Sequence, residues 1–279
     1  MIHSFLMIGQ SNMAGRGFLK DVAPIYDEHI KMLRNGRWQM MWEPINCDRP
    51  SSGIGLAASF AAAWRLKNEH EEIGLIPCAE GGTNLDDWAV GGTLFQHAVF
   101  QTKLAQQTST LDGILWHQGE NDSFSEQHVH YQEKLAVIVE AFRQELQVPD
   151  APFIAGGLGD FLRDGRYGKY FTEYTLVNQA IQQFTSATPN CFFVTASGLT
   201  ANPDCLHFNA ISQRRFGLRY FEAYHNQQHV TTPLADEDSL LNIIENRPLS
   251  KTEKIAVLET NFARGEVSLQ DLEVKLSAI

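Results

Sequence analysis

Short apolar runs recur along this chain with helical stretches between them, and that alternation limits the folds open to it more than any other feature. Five runs are near-continuously apolar: Phe5 to Ile8, Ile73 to Cys78, Gly113 to Trp116, Phe153 to Ala155 and Phe192 to Ala196. A strand with one wet face alternates apolar and polar side chains. These runs do not, so each needs cover on both faces. Helical spacing fills the gaps over Leu56 to Lys67, Leu94 to Gln106, Glu126 to Leu146, Thr175 to Phe184 and Ile211 to Tyr224. The order predicts an α/β fold, a five-stranded parallel sheet with helices on both faces. Ligands of such sheets bind beyond the carboxyl ends of the strands.

From Ala235 the chain changes character: it is polar and has no strand run. Residues 1–234 therefore read as one domain and 235–279 as a C-terminal helical extension. Ser250 with Glu253 has capping-box spacing, and Ser268 with Asp271 is a weaker version of it, which predicts helices over 251–263 and 269–276. Ile255, Leu258, Phe262, Leu269, Leu272 and Leu276 give those helices apolar stripes that two short helices do not bury on each other alone. Docking on the first domain or on a second subunit is required, and the subunit contact, making a homo-oligomer, is the favoured expectation.

Four polar clusters fall at the ends of strands. Gly9-Gln10-Ser11-Asn12-Met13 follows the first. A serine there either caps the next helix or stands as a nucleophile at the catalytic edge, with backbone N–H groups beside it for an oxyanion. Glu80-Gly81-Gly82-Thr83 follows the second, where paired glycines make either an ordinary turn or an unobstructed N–H. His117-Gln118-Gly119-Glu120-Asn121-Asp122 follows the third and crowds amide and acidic groups into one loop. Asp204-Cys205-Leu206-His207 follows the last and offers, in one turn, an imidazole base and the carboxylate that fixes its tautomer. Each signal is weak alone. Together they supply nucleophile, base, acid and oxyanion donors, the roles that acyl transfer requires.

With these motifs the sequence resembles the SGNH hydrolases, and more closely their sialate O-acetylesterase and carbohydrate esterase family 6 (acetylxylan esterase-like) branch. The likeness runs from about Phe5 to Tyr224. It implies a three-layer, flavodoxin-like fold and hydrolysis of acetyl esters on a small-molecule carbohydrate by a serine esterase. It also implies Ser11 as nucleophile, His207 as base and Asp204 as its acid. The oxyanion hole is implied to combine the Ser11 amide, a glycine of Gly81-Gly82, and either Gln118, which the branch favours, or Asn121. Gln10, Asn12, Glu120 and Asp122 are expected to support the loops by hydrogen bonding. Trp42 and Trp88 either line a sugar cleft or belong to the core. The alternatives of other kinds are an esterase or thioesterase on non-sugar acyl groups and a catalytically silent carbohydrate-binding protein. An α/β-hydrolase is set aside because it needs G-x-S-x-G, and position 13 is Met.

Other signals are declined. A net charge of -11 disfavours nucleic acid and anionic membrane as partners. Gly53-Ile54-Gly55-Leu56-Ala57-Ala58 fits a dinucleotide fingerprint, but no strand precedes it. His225 with His229, and His128 with His130, lack metal-site company, so no metal and no cofactor is expected. The acidic stretches Glu69 to Glu72 and Asp236 to Asp238 read as solvated surface. Cys47, Cys78, Cys191 and Cys205 read as reduced and mostly buried thiols. The first residues read as a strand with no export signal, and the expected compartment is cytoplasmic.

Overall fold

The computed structural model describes all 279 residues. Strand β1 (Ile2–Gly9) runs through the middle of one sheet. The others are β2 (Ile30–Arg34), β3 (Arg37–Met40), β4 (Glu72–Pro77), β5 (Ser109–His117), β6 (Phe153–Gly156) and β7 (Cys191–Val194), in the order β3-β2-β4-β1-β5-β6-β7. The sheet has seven strands, not the five expected. The parallel block from β2 to β7 contains all five predicted runs, and β3 pairs antiparallel with β2 at the edge.

The two extra strands escaped the apolar-run criterion because wet positions interrupt them: β3 is the edge strand, and β2 lies between it and β4. Lys31 and Arg34 are half-exposed in β2, and no side chain of β3 is fully buried. Their signal was of another kind. Asn35-Gly36 links them with φ of 51° and 71°, the two left-handed residues of a tight hairpin turn.

The central strands are apolar throughout because successive side chains enter two cores. Phe5 and Met7 join one apolar cluster, and Leu6 and Ile8 join the other. The first cluster lies under α2 (Ala57–Lys67) and α6 (Ala210–Asn226), which pack on each other. The second lies under α3 (Thr93–Ala105), α4 (Tyr131–Glu145) and α5 (Tyr174–Ala187). The result is the three-layer arrangement expected. Helix α4 begins later than its periodicity suggested, because Ser125 and Glu126 take left-handed φ of 55° and 60° and a 3-10 turn, Gln127–His130, intervenes.

The extension contains the two expected helices and one more. A helix not foreseen, α7 (Glu237–Glu245), buries Leu241 and Ile244 in the first apolar cluster. Its Glu237 is not solvated surface. It is buried and paired with Arg219 of α6, Oε1 to Nε at 2.6 Å. Sequence composition misplaced this stretch because its burial is decided by a partner 18 residues away. Helix α8 (Lys251–Ala263) opens with the expected capping box of Ser250 and Glu253. Glu253 Oε1 also accepts the Glu28 amide at 2.9 Å, which ties α8 to the first domain, and it meets Arg247 of the extension at 2.7 Å. Helix α9 (Leu269–Ser277) packs against α8 and buries Leu272, while Phe262 and Leu269 remain exposed.

Two smaller readings also change. All four cysteines are free, but only Cys78 and Cys191 are buried, while Cys47 is exposed. Gly53 to Ala58 forms no phosphate loop: Gly17 and Ile54 exchange backbone hydrogen bonds there. No helix is long and apolar enough to cross a membrane.

Candidate active site

The carboxyl ends of β1, β4 and β5 and the loop after β7 bring the four polar clusters together. Ser11 opens a four-residue helical turn, α1 (Ser11–Ala14). It does not cap that turn. Gln10 occupies the cap position, and the Ser11 hydroxyl instead lies 3.0 Å from His207 Nε2. As the first helical residue, Ser11 has a backbone N–H without an intrahelical acceptor.

His207 Nδ1 faces Asp204 Oδ2 at 2.7 Å. A carboxylate only accepts, so the proton sits on Nδ1 and the Nε2 lone pair faces Ser11. The turn that makes this pairing is tight. Cys205 has φ of 53°, and Asp204 Oδ1 accepts the amides of Leu206 (2.9 Å) and His207 (3.0 Å). Burial works to raise the Asp204 pKa. The hydrogen bonds from the His207 ring and from the two amides outweigh it and hold the group at about 2. Asp204 is therefore an anion, able to stabilise an imidazolium.

The glycine pair divides its labour. Gly81 donates its amide to Asp48 Oδ2 at 2.9 Å. Gly82, with φ of 83°, donates its amide to nothing in the folded chain. Asp48 is held in turn by buried Arg16 through both guanidinium ends, at 3.1 and 2.5 Å, and by the Ser52 hydroxyl at 2.9 Å. Burial opposes the charge on Asp48, but these donors keep its pKa below the ordinary value. Sequence reading missed Asp48 and Arg16. Neither lies in a strand-end motif with a partner nearby, and the Arg16–Asp48 contact spans 32 positions.

The loop after β5 is mostly internal. Gln118 is fully buried, and its amide nitrogen faces Asp122 Oδ2 (2.5 Å), the Thr83 carbonyl (3.1 Å) and Gln10 Oε1 (3.3 Å). Its two hydrogens are spent on these internal acceptors. Asn121 is half-buried and gives one hydrogen to the Gly82 carbonyl at 2.5 Å. Gln10 Oε1 also accepts the Gly119 amide at 3.3 Å, so Gln10 is a brace between the first and third clusters. Asp122 accepts the Leu85 amide at 3.1 Å, and burial pushes its pKa up to about 6 against its hydrogen bonds. Asn12 donates to Glu120 and accepts the Phe208 amide at 3.0 Å.

The tryptophans separate. Trp88 is fully buried, donates to Thr83 Oγ1 at 3.1 Å and packs edge-on against Trp116, so it is core. Trp42 is 37% exposed and lines a hollow with Tyr26 and Arg264, apart from the Ser11 cluster. Beside the glycine pair runs a groove of about 540 Å³ lined almost wholly by polar residues, including Arg49, Glu80, Thr83, Asp86 and Asp87. No three His, Cys, Asp or Glu side chains gather as metal ligands.

Known proteins resemble this chain in sequence and fold. A curated relative, a probable carbohydrate esterase of Arabidopsis thaliana, is 28% identical over 248 residues, covering 79% of this chain and 89% of that one. An X-ray structure of a protein from Arabidopsis thaliana superposes with a TM-score of 0.71 at 27% identity, over 80% of this chain and 98% of that one. The crystal structure of NanS superposes at 0.67 and 18% identity over 81% and 97%, sharing the fold. A carbohydrate acetylesterase from Xanthomonas citri does so at 0.59 and 19% identity, over 80% of this chain and 56% of that one. The family model for carbohydrate esterases described as sialic acid-specific acetylesterases matches residues 1–226. With the sheet, the strand-end motifs and this match in agreement, the chain belongs to the sialic acid-specific acetylesterase family of carbohydrate esterases.

Proposed function

We propose that this protein hydrolyses acetyl esters on carbohydrates through an acyl-enzyme formed on Ser11. The observation that carries the reading is Ser11 Oγ at 3.0 Å from His207 Nε2, with Asp204 2.7 Å behind the ring. His207 takes the hydroxyl proton as Ser11 attacks the ester carbonyl. The oxyanion is received by the Ser11 and Gly82 amides, since the Gly81 amide is committed to Asp48. Asn121 completes the hole in this reading. It keeps one amide hydrogen free beside Gly82, whereas both hydrogens of Gln118 are engaged. His207 then gives its proton to the departing sugar oxygen, which leaves as the free hydroxyl; it next takes a proton from the water that attacks the acyl-enzyme and returns it to the Ser11 oxygen as acetate is released.

The polar groove beside Gly82 supports a hydroxyl-rich leaving group over an apolar one. Acetate release is to be followed on acetylated xylo-oligosaccharides, on O-acetylated sialic acid and on a non-sugar acetyl thioester, with Ser11→Ala in parallel. Turnover of at least one sugar, abolished by Ser11→Ala, is expected. Turnover of the thioester alone overturns the carbohydrate reading, and an active Ser11→Ala variant overturns the mechanism.

A further inference from the structure

Behind the catalytic residues lies a sealed polar cluster that the reaction does not touch. His117 and Glu120 are 0% and 1% exposed, and each leaves one polar atom without a partner: His117 Nδ1 and Glu120 Oε2. The His117 ring lies against those of Phe208 and Phe216, with centroids 5.6 and 5.5 Å away. A Cβ on Gly156 would fall 2.2 Å from the Tyr220 hydroxyl and 2.9 Å from His117 Nδ1, so this wall admits no side chain. Apolar residues fill such a space at lower cost than an ionisable pair with orphaned atoms, and such exceptions concentrate where function requires them.

We propose that His117, Glu120 and Asn12 form a positioning relay that holds the base His207 in register with Ser11; the proposal rests on the esterase reading above. His117 Nε2 lies 3.2 Å from Glu120 Oε1, and the same oxygen accepts from Asn12 Nδ2. Asn12 Nδ2 also reaches the Leu206 carbonyl at 3.2 Å, and Asn12 Oδ1 accepts the Phe208 amide at 3.0 Å. One amide, adjacent in sequence to the nucleophile, thus grips the residues on both sides of His207. The Glu120 carboxylate selects the orientation of that amide. Flipped, Asn12 would set its oxygen against the carboxylate and its donors against the Phe208 N–H. Burial opposes the Glu120 charge, but the charge and hydrogen bond of His117, with the Asn12 bond, keep its pKa below the ordinary value.

The relay is tested with Glu120→Gln, which keeps the shape and removes the charge that orients Asn12, and with Asn12→Ser, which removes the grip. Both are compared with wild type after near-UV circular dichroism confirms folding. The expected result is a fall in kcat of about 10- to 100-fold with KM changed by less than about threefold, because a small misplacement of the base acts on the transition state alone. The low-field proton resonance of His207 Nδ1–H against Asp204 is expected to shift or broaden. That signal does not respond to a merely structural role distant from the dyad. An unchanged kcat in both folded variants, or a lost kcat with an unmoved resonance, overturns the relay. Ser11→Ala run alongside separates the outcomes, since its inactivity upholds the esterase reading whatever the relay variants do.

Discussion

Two histidine–carboxylate pairs stand three residues apart in this chain, and burial makes them different devices. In His207–Asp204 the side chains are 18% and 37% exposed and the contact is 2.7 Å. In His117–Glu120 they are 0% and 1% exposed and the contact is 3.2 Å. The free nitrogen of His207 faces the Ser11 hydroxyl at the carboxyl ends of the strands, and that of His117 faces a closed wall. In the proposed reaction the base exchanges protons with substrate and water, which the enclosure of His117 forbids and the position of His207 allows. The sealed pair can only hold its surroundings in place. Equal spacing in sequence therefore carries no information about role until the strand ends and helices have enclosed one pair and left the other exposed.

Breaking the open pair should cost rate above all. His207→Ala is expected to lower kcat/KM by about 10⁴- to 10⁶-fold, the effect of losing one member of a unit. Near-normal circular dichroism in that variant, together with the lost rate, would confirm that the open pair serves chemistry and not folding. Asp204→Asn should cost less, about 10²- to 10⁴-fold, since it removes orientation and charge stabilisation while the base remains. A silent Asp204→Asn would transfer the acid role elsewhere.

Stability should rank the pairs in the opposite order. His117→Ala leaves the Glu120 charge uncompensated in the interior and should cost about 3 kcal/mol in a urea melt. Glu237→Ala, which strands buried Arg219 under α7, is a second sealed pair and should cost a similar amount, about 3 kcal/mol. Asp204→Asn, at a partly exposed pair, should stay within about 1 kcal/mol. Equal losses at both histidine pairs would erase the distinction.

The pH dependence of stability gives the finest separation. Asp204 has a folded pKa of about 2 against an ordinary 3.8, so its contribution is present above 3.8 and is lost as the pH falls through about 2. Asp122 runs the other way. Its folded pKa of about 6 exceeds the ordinary 3.8, so the folded state binds the extra proton and loses stability as the pH rises between those values. Melts of Asp122→Asn across that window should show a shallower decline than wild type. An identical slope would mean that Asp122 ionises in the fold as easily as in water.

Much of the architecture was legible without coordinates, for local reasons. The central strands announced themselves because burial on both faces forces an unbroken apolar run, as in Phe5 to Ile8. The start of α8 announced itself because a capping box is a contact between residues three apart. The strand-end motifs likewise delivered Ser11, Asp204 and His207 to one place. The β2–β3 hairpin was readable only from its Asn35-Gly36 turn, since part-exposed positions in both strands break any continuous apolar run. Helix α7 was not readable, because Glu237 looks like any surface acid until Arg219 is beside it.

Strand, turn and cap are set by neighbours within a few positions, so the order of residues already fixes which chemical groups are available and which strand end each occupies. Which of them remain free to act depends on contacts between residues far apart in the chain. Gly82 rather than Gly81 keeps an unengaged amide because Asp48, 33 positions away, takes the other. The Gln118 amide is consumed by Asp122 and by the carbonyl of Thr83, 35 positions distant. His207 is held beside Ser11 across 196 positions, partly through Asn12. A hydrogen-bonding group has few hydrogens and lone pairs, and the competition for them is settled by partners that meet only when the sheet has assembled.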